Sequence, residues 1–287
     1  MTNKLIDMHM HTTYSDGELS PNELIKKAID NNIGTIAITD HNSVNGLKAI
    51  EYTNEIKNNI NIINGVELSA KVDHGQMHIL GYDFDINNEY LNNELFKQKE
   101  NSLNYILSVM EQIKRDYKII FGYYDIVKLV TANHNLGRPD LAKLCVEYGF
   151  ADNIKDAFTK YLNPAKEKIR GTNKRITYEE CIHIIKEANG IPVLAHPKSL
   201  ELSEKDFLIL LRDLIKCGLM GIEVFHSSHS KEEMDYYLKI ANEYNLLISG
   251  GSDYHGEHVK PDTMIGTGVN NNLKIKKLSL VDYIKKR

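Results

Sequence analysis

Short apolar runs of the kind that form buried strands recur along the chain, and most of them stop at a histidine or an acid. The first is Leu5-Ile6-Asp7-Met8-His9-Met10-His11. The pattern returns at Ile36-Ala37-Ile38-Thr39-Asp40-His41, Ile62-Ile63-Asn64-Gly65-Val66-Glu67, Met77-His78-Ile79-Leu80, Pro192-Val193-Leu194-Ala195-His196 and Ile248-Ser249-Gly250-Gly251-Ser252-Asp253-Tyr254-His255. Side chains two apart on a strand project from one face, so His9 and His11 can grip one ion. Helix-like stretches separate the runs. Ser20-Pro21 with Glu23 behind it reads as an N-cap followed by proline at the first helical position. Leu24, Ile25, Ala28 and Ile29 make the apolar stripe of that helix, and Gly34 is expected to end it. A second helix is expected to run to about Lys57.

Alternating strands and helices build a parallel sheet or barrel. From 88 to 174 the alternation stops and successive helices are expected, near Leu95 to Asp116, Tyr123 to Asn133, Pro139 to Tyr148 and Ile154 to Leu162. It then resumes to the end of the chain. The expected architecture is a distorted (β/α)7 barrel, TIM-like, formed by 1–87 and 175–287, with a helical insertion at 88–174 acting as a substrate cap. About seven parallel-type strands are counted, including the short one around His78. In such barrels functional side chains gather at the carboxyl ends of the strands, where these histidines and acids fall.

A chain of 287 residues can bury a substantial core as one large α/β domain with an insertion. Formal net charge is -4 with Lys and Glu interleaved, so there is no basic footprint for long duplex nucleic acid. No apolar run approaches the roughly 20 residues that span a bilayer, and the chain enters a strand at once, so a soluble cytoplasmic protein without membrane partners is expected. Cys145, Cys181 and Cys217 form no Cys-x-x-Cys, which leaves reduced buried thiols as the expectation. No glycine-rich nucleotide loop is present.

A lone histidine at a strand end is readily a hydrogen-bonded structural residue. Six of the twelve histidines at such ends are not readily six coincidences. The proposed constellation is His9, His11, Asp16, His41, Glu67, His78, His196, Asp253 and His255. Catalytic zinc commonly takes three protein ligands, so nine imply two to three ions, with Glu67 the natural bridge. Imidazole and carboxylate without sulfur suit manganese, zinc or ferrous iron and do not select among them; manganese is the expected ion, with zinc or iron as alternatives. Such clusters present hydroxide as a nucleophile and neutralise charge on the oxygens of an in-line displacement, which is what phosphate ester hydrolysis uses.

His9-Met10-His11, Asp16-Gly17, Thr39-Asp40-His41, Gly65-Val66-Glu67, His78, Ala195-His196-Pro197 and Gly251-Ser252-Asp253-Tyr254-His255-Gly256 together resemble the ordered motifs of the PHP (polymerase and histidinol phosphatase) superfamily. The resemblance covers nearly the whole chain and implies a distorted seven-stranded barrel with a trinuclear phosphoesterase centre. It implies one ion on His9, His11, Glu67 and Asp253, a second on Glu67, His78 and His196, and a third on Asp16, His41 and His255, with Glu67, Asp253 and His196 as catalytic residues. Gly137-Arg138-Pro139, Ala157 to Leu162 and Ser227-Ser228-His229-Ser230 look most like the branch that removes the 3'-phosphate of nucleoside 3',5'-bisphosphates or trims short single-stranded 5'-phosphorylated RNA from its 5' end.

Arg138 has a physical rationale as a substrate contact, because its planar fork binds a phosphate bidentately beside a helix start. His229 is a second candidate phosphate contact, and His226 is expected behind a ligand. Asp40 is expected to orient an imidazole. Lys166, Lys168, Arg170, Lys174 and Arg175 form a basic run that is either a solvated loop or a guide for an oligonucleotide. His74, His134, His183 and His258 match no motif. The alternatives are a histidinol phosphatase, a metal amidohydrolase, whose bridging lysine has no clear counterpart here, and a noncatalytic module stabilised by its metals.

Overall fold

The computed structural model describes residues 4–72, 74–131, 136–169 and 175–287. By internal packing the chain divides into two compact units, one comprising Met1–Glu94 with Ile176–Arg287 and the other Leu95–Arg175.

The first unit is built on seven strands that pair in chain order: β1 Leu5–Asp7, β2 Ile33–Ile38, β3 Asn61–Ala70, β4 Met77–Tyr82, β5 Ile191–Leu194, β6 Gly221–His226 and β7 Leu247–Gly251. The sheet curls until its ends nearly meet. Met8 N–H donates to the Gly250 carbonyl at 3.1 Å, Asp253 N–H to His9 at 2.8 Å and His11 N–H to Tyr254 at 2.9 Å, so the segments following β1 and β7 close the barrel at its mouth. Ile6, Met8, Leu80, Tyr82, Ile191, Val193 and Ala195 share one buried cluster. These residues recur at every second position along their strands, as the inward face of a barrel requires. Tyr82 carries its hydroxyl to the Met8 carbonyl at 2.9 Å.

The direction of one barrel strand differs from expectation. β4 runs antiparallel to both β3 and β5. Only residues 71–76 separate β3 from β4, and a parallel return needs a crossover of roughly a dozen residues or more. His78 therefore stands near the start of its strand, and the reversed direction of β4 brings that start to the rim where the parallel strands end.

The first helix, Pro21–Asp30, has the expected Ser20–Glu23 capping box. It stops before Gly34. Asn31 caps it, Asn32 turns with φ 57°, and Gly34 already lies in β2, where a Cβ would meet the Lys4 side chain at 2.8 Å. Asn is among the residues that adopt this left-handed turn most readily, which explains the difference. The single helix expected before β3 is two short ones, Asn45–Lys48 and Asn54–Asn59, because the Thr53 side chain caps a fresh start on Ile56 N–H.

The second unit is helical. Ile106, Val109, Met110 and Ile113 of the long helix Glu89–Tyr117 share a buried cluster with Leu141, Leu144 and Cys145 of the helix Arg138–Glu147. The helix expected through Leu162 widens to a π-turn at Phe158–Leu162 and continues as Asn163–Lys168. His134, Arg170 and Lys174 lie outside the described residues. Cys145 and Cys181 are buried free thiols, while Cys217 is only partly covered. No described helix is long and apolar enough to cross a membrane.

Gly251 is where barrel closure is tightest, since a Cβ there would lie 2.3 Å from His9 N and 2.6 Å from His9 Cβ. Gly251→Ala should destabilise the protein by about 1 to 3 kcal/mol through overpacking. Chemical denaturation checks this, and an unchanged midpoint would contradict the closure described.

Candidate metal centre

The chain bends sharply where the parallel strands end, and these bends aim the polar side chains inward. His196 follows β5 at φ 20°, and Asp253 follows β7 at φ 55°, both in backbone regions that L-residues other than glycine seldom adopt. Glu67 lies within β3, fully buried, and its two oxygens are the centre of the arrangement. Oε2 is met by His9 Nε2 at 3.3 Å, His11 Nε2 at 3.3 Å and His41 Nδ1 at 3.1 Å. Oε1 is met by His78 Nδ1 at 2.8 Å and His196 Nε2 at 2.9 Å, nitrogens themselves only 3.2 Å apart.

Asp253 Oδ1 closes the His9 and His11 side, 3.6 Å from His9 Nε2 and 3.2 Å from His11 Nε2. Half-exposed Asp16 gathers a third set, with Oδ1 3.2 Å from His255 Nε2 and 3.5 Å from His11 Nδ1, and Oδ2 3.8 Å from His41 Nε2. The structure thus brings all nine residues of the expected constellation into one mouth. Among the described residues, four sets have donor atoms within 4.8 Å of one another: His11, Asp16, His41 and His255; His9, His11 and Glu67; His9, His226 and Asp253; and His41, Glu67 and His78.

The fit to cations rests on orphaned atoms. Nε2 of His9, His11 and His226 are buried and make no hydrogen bond, although carboxylate oxygens lie 3.2 to 3.6 Å away. Buried nitrogens left without partners are costly unless something else occupies their lone pairs. The electrostatics agree. Burial alone would drive His11 down, yet the Asp253 and Glu67 carboxylates raise it to about 9. His9 is likewise burdened by burial and lifted well above the ordinary value by Glu223, Glu67 and Asp253. Burial works against Glu67 and Asp253 too, but surrounding imidazoles hold both well below the carboxylate range. The site calls for positive charge, which protons or metal ions supply.

Several supporting residues escape a reading by motifs. Glu223 on β6 is fully buried; its Oε1 lies 2.9 Å from His9 Nδ1 and its Oε2 accepts the His196 N–H at 2.7 Å. Burial opposes its charge, but His9 and His226 bring it down to about 2. Asp7, also buried, accepts from Ser252 N–H, Ser252 Oγ and Gly266 N–H at 2.6 to 2.8 Å, tying β1 to the loop after β7. Lys260 Nζ lies 2.6 Å from Asp253 Oδ2. A carboxylate inside an apolar strand, as in Gly221-Ile222-Glu223-Val224, is the signal that marks such a residue.

Asp40 reaches an imidazole through a hydroxyl and not directly. Its oxygens accept Thr12 N–H, Thr12 Oγ1 and Ser15 Oγ, each at 2.7 Å, and Ser15 Oγ in turn lies 3.3 Å from His11 Nδ1. It thereby fixes the loop carrying His11 and Asp16. His226 faces Asp253 Oδ2 at 3.5 Å and belongs to a donor set of its own, beyond the backing role expected. His229 is buried, with Nδ1 donating to the Val224 carbonyl at 2.9 Å and its ring packed between His226 and Tyr237. Arg138 belongs to the helical unit, where Nη1 donates to Asn163 Oδ1 at 2.9 Å and the guanidinium lies over the Phe158 ring at 5.2 Å. His74, His183 and His258 are exposed, His258 paired with Glu18.

The PHP domain profile matches residues 7–179. The 5'-3' exoribonuclease Rnm of Escherichia coli K12 is 30% identical over 252 residues, spanning 88% of this chain and 85% of that protein. The 3',5'-nucleoside bisphosphate phosphatase of Chromobacterium violaceum is 29% identical over 251 residues, 87% of each. Among solved structures, a Bifidobacterium adolescentis protein described as a metal-dependent phosphoesterase superposes with a TM-score of 0.73 at 27% identity, covering 94% of both chains. The chain belongs to the PHP domain family. It is a metal-dependent phosphoesterase, a hydrolase acting on phosphate esters, which sets aside the noncatalytic reading.

Adding a divalent cation to chelator-treated protein should raise its unfolding free energy by about 2.7 kcal/mol at a hundredfold excess over Kd, reversed by chelator. Thermal unfolding checks this, and an unmoved midpoint with manganese, zinc and ferrous iron would contradict the fit.

Proposed function

We propose that the chain removes the 3'-phosphate of nucleoside 3',5'-bisphosphates or trims short 5'-phosphorylated RNA, using two to three divalent ions, manganese foremost. The observation that carries this reading is the gathering of five imidazoles around the two oxygens of Glu67. Its substrate rests on the relatives named exoribonuclease and bisphosphate phosphatase.

Glu67, His9, His11 and Asp253 would hold one ion, Glu67, His78 and His196 a second, and Asp16, His41 and His255 a third. Bound there, divalent ions activate water and neutralise charge on phosphoryl oxygens. The chain's own residues orient that chemistry. Glu67 presents one oxygen to each of two sets, so it fixes their separation. Asp253 turns Oδ1 inward while Lys260 holds Oδ2. His196 directs Nε2 inward because Ser199 Oγ engages its Nδ1 at 2.7 Å.

His9→Ala, Glu67→Ala and Asp253→Ala should each remove almost all phosphoesterase activity while leaving folded, soluble protein. Turnover within about tenfold of wild type in all three would contradict the assignment. The substrate is tested by offering manganese-reconstituted protein a nucleoside 3',5'-bisphosphate, a 5'-phosphorylated oligoribonucleotide and histidinol phosphate side by side. Preference for histidinol phosphate would overturn the nucleotide reading.

Arg138 serves, in this proposal, as the cation for the phosphate that is not cleaved, with the helical unit as the substrate cap. Its guanidinium is always charged, and bidentate phosphate binding suits its planar fork. Arg138→Ala should lower kcat/KM for the bisphosphate roughly tenfold to a hundredfold, about 1.5 to 3 kcal/mol, while sparing a simple aryl phosphate. Equal slowing of both substrates, or of neither, would assign Arg138 a structural role.

A further inference from the structure

We propose that Glu223 is a positioning residue that fixes the His9 tautomer and the His196 backbone bend together, coupling two metal sets of the centre. The proposal rests on the reading that His9 and His196 hold ions. A ligating imidazole must offer a bare nitrogen, and its tautomer is decided by what the other nitrogen meets. His9 Nε2 faces Glu67 Oε2 and Asp253 Oδ1 at 3.3 and 3.6 Å without a hydrogen bond, so it is the ligand nitrogen. The proton then sits on Nδ1, donated to Glu223 Oε1 at 2.9 Å.

The second oxygen of the same carboxylate is also committed. Glu223 Oε2 accepts the His196 N–H at 2.7 Å. A backbone N–H can only donate, and this one belongs to a residue bent through φ 20° and ψ 66°. That bend carries His196 Nε2 to Glu67 Oε1 at 2.9 Å. One buried carboxylate thus braces His9 on the Oε2 side of Glu67 and His196 on the Oε1 side. The role requires two acceptor oxygens, which is what distinguishes Glu from Gln at equal size. In Glu223→Gln the His196 N–H claims the amide oxygen and the NH2 faces His9 Nδ1. His9 can accept it only by moving its proton to Nε2, where it blocks ligation.

The test uses full-length protein loaded with zinc, a diamagnetic probe, and reads chelator-competition affinities together with the imidazole Nδ1–H resonances by NMR. Wild type should show a His9 Nδ1–H. Glu223→Gln should lose it, and zinc affinity of both the His9 set and the His78–His196 set should fall roughly tenfold to a hundredfold. Ser199→Ala should weaken only the His78–His196 set and leave the His9 resonance in place. Glu223→Gln that keeps the resonance, or weakens one set alone or neither, overturns the coupling while leaving the metal centre standing. Wild type that binds no zinc at these residues overturns both. Should Glu223→Gln fail to fold, zinc-loaded wild type without a His9 Nδ1–H overturns the proposal by itself.

Discussion

Everything at the mouth of this barrel is arranged around one buried carboxylate. Glu67 is enclosed by five imidazoles, three toward one oxygen and two toward the other, and a charge so placed persists only where counter-charge surrounds it. The imidazoles come from β4 and from the segments that follow β1, β2 and β5. They converge because the ends of all these elements lie on one rim. The reversal of β4 belongs to the same constraint. Were that strand parallel, His78 near its start would lie at the opposite pole.

The other buried carboxylates around Glu67 are engaged away from it. Asp7, Asp40 and Glu223 are buried carboxylates, yet each spends its oxygens on backbone N–H groups, hydroxyls or the outward nitrogen of an imidazole. They hold the loops while His9 Nε2 and His11 Nε2, on the Oε2 side of Glu67, make no hydrogen bond. Left-handed backbone at His196 and Asp253 adds strain that only a well-braced rim tolerates. The apolar interior below, with Met8, Leu80, Tyr82 and Val193, supplies the stability against which this polar rim is set.

Much of this was legible in the residues themselves. Apolar runs carrying His, Asp or Glu marked the strands and their functional rim, and the eight residues so marked converge together with Asp16. The direction of β4 was not legible, because alternation shows that a strand exists but not which way it runs; the short 71–76 connection is what decides it. Gly34 misled because glycine is the usual helix terminator, whereas Asn32 makes the turn. Glu223 and Asp7 are marked as carboxylates within apolar runs, but their roles depend on partners far away in the chain, Glu223 on His9 and His196, Asp7 on Ser252 and Gly266. No local pattern encodes such pairings. Arg138 was visible as a lone basic residue at a helix start, and its partners within the helical unit, Asn163 and Phe158, were not.

In the proposed function, Glu67 would bridge two cation sites. A crystal structure of manganese-loaded protein, with anomalous scattering to locate the ions, tests it most directly. The account predicts a peak on each side of the carboxylate, each about 2 Å from one Glu67 oxygen, one beside His9 and His11 and the other beside His78 and His196. Peaks that do not touch Glu67, or a single ion bound by one of its oxygens alone, would contradict it.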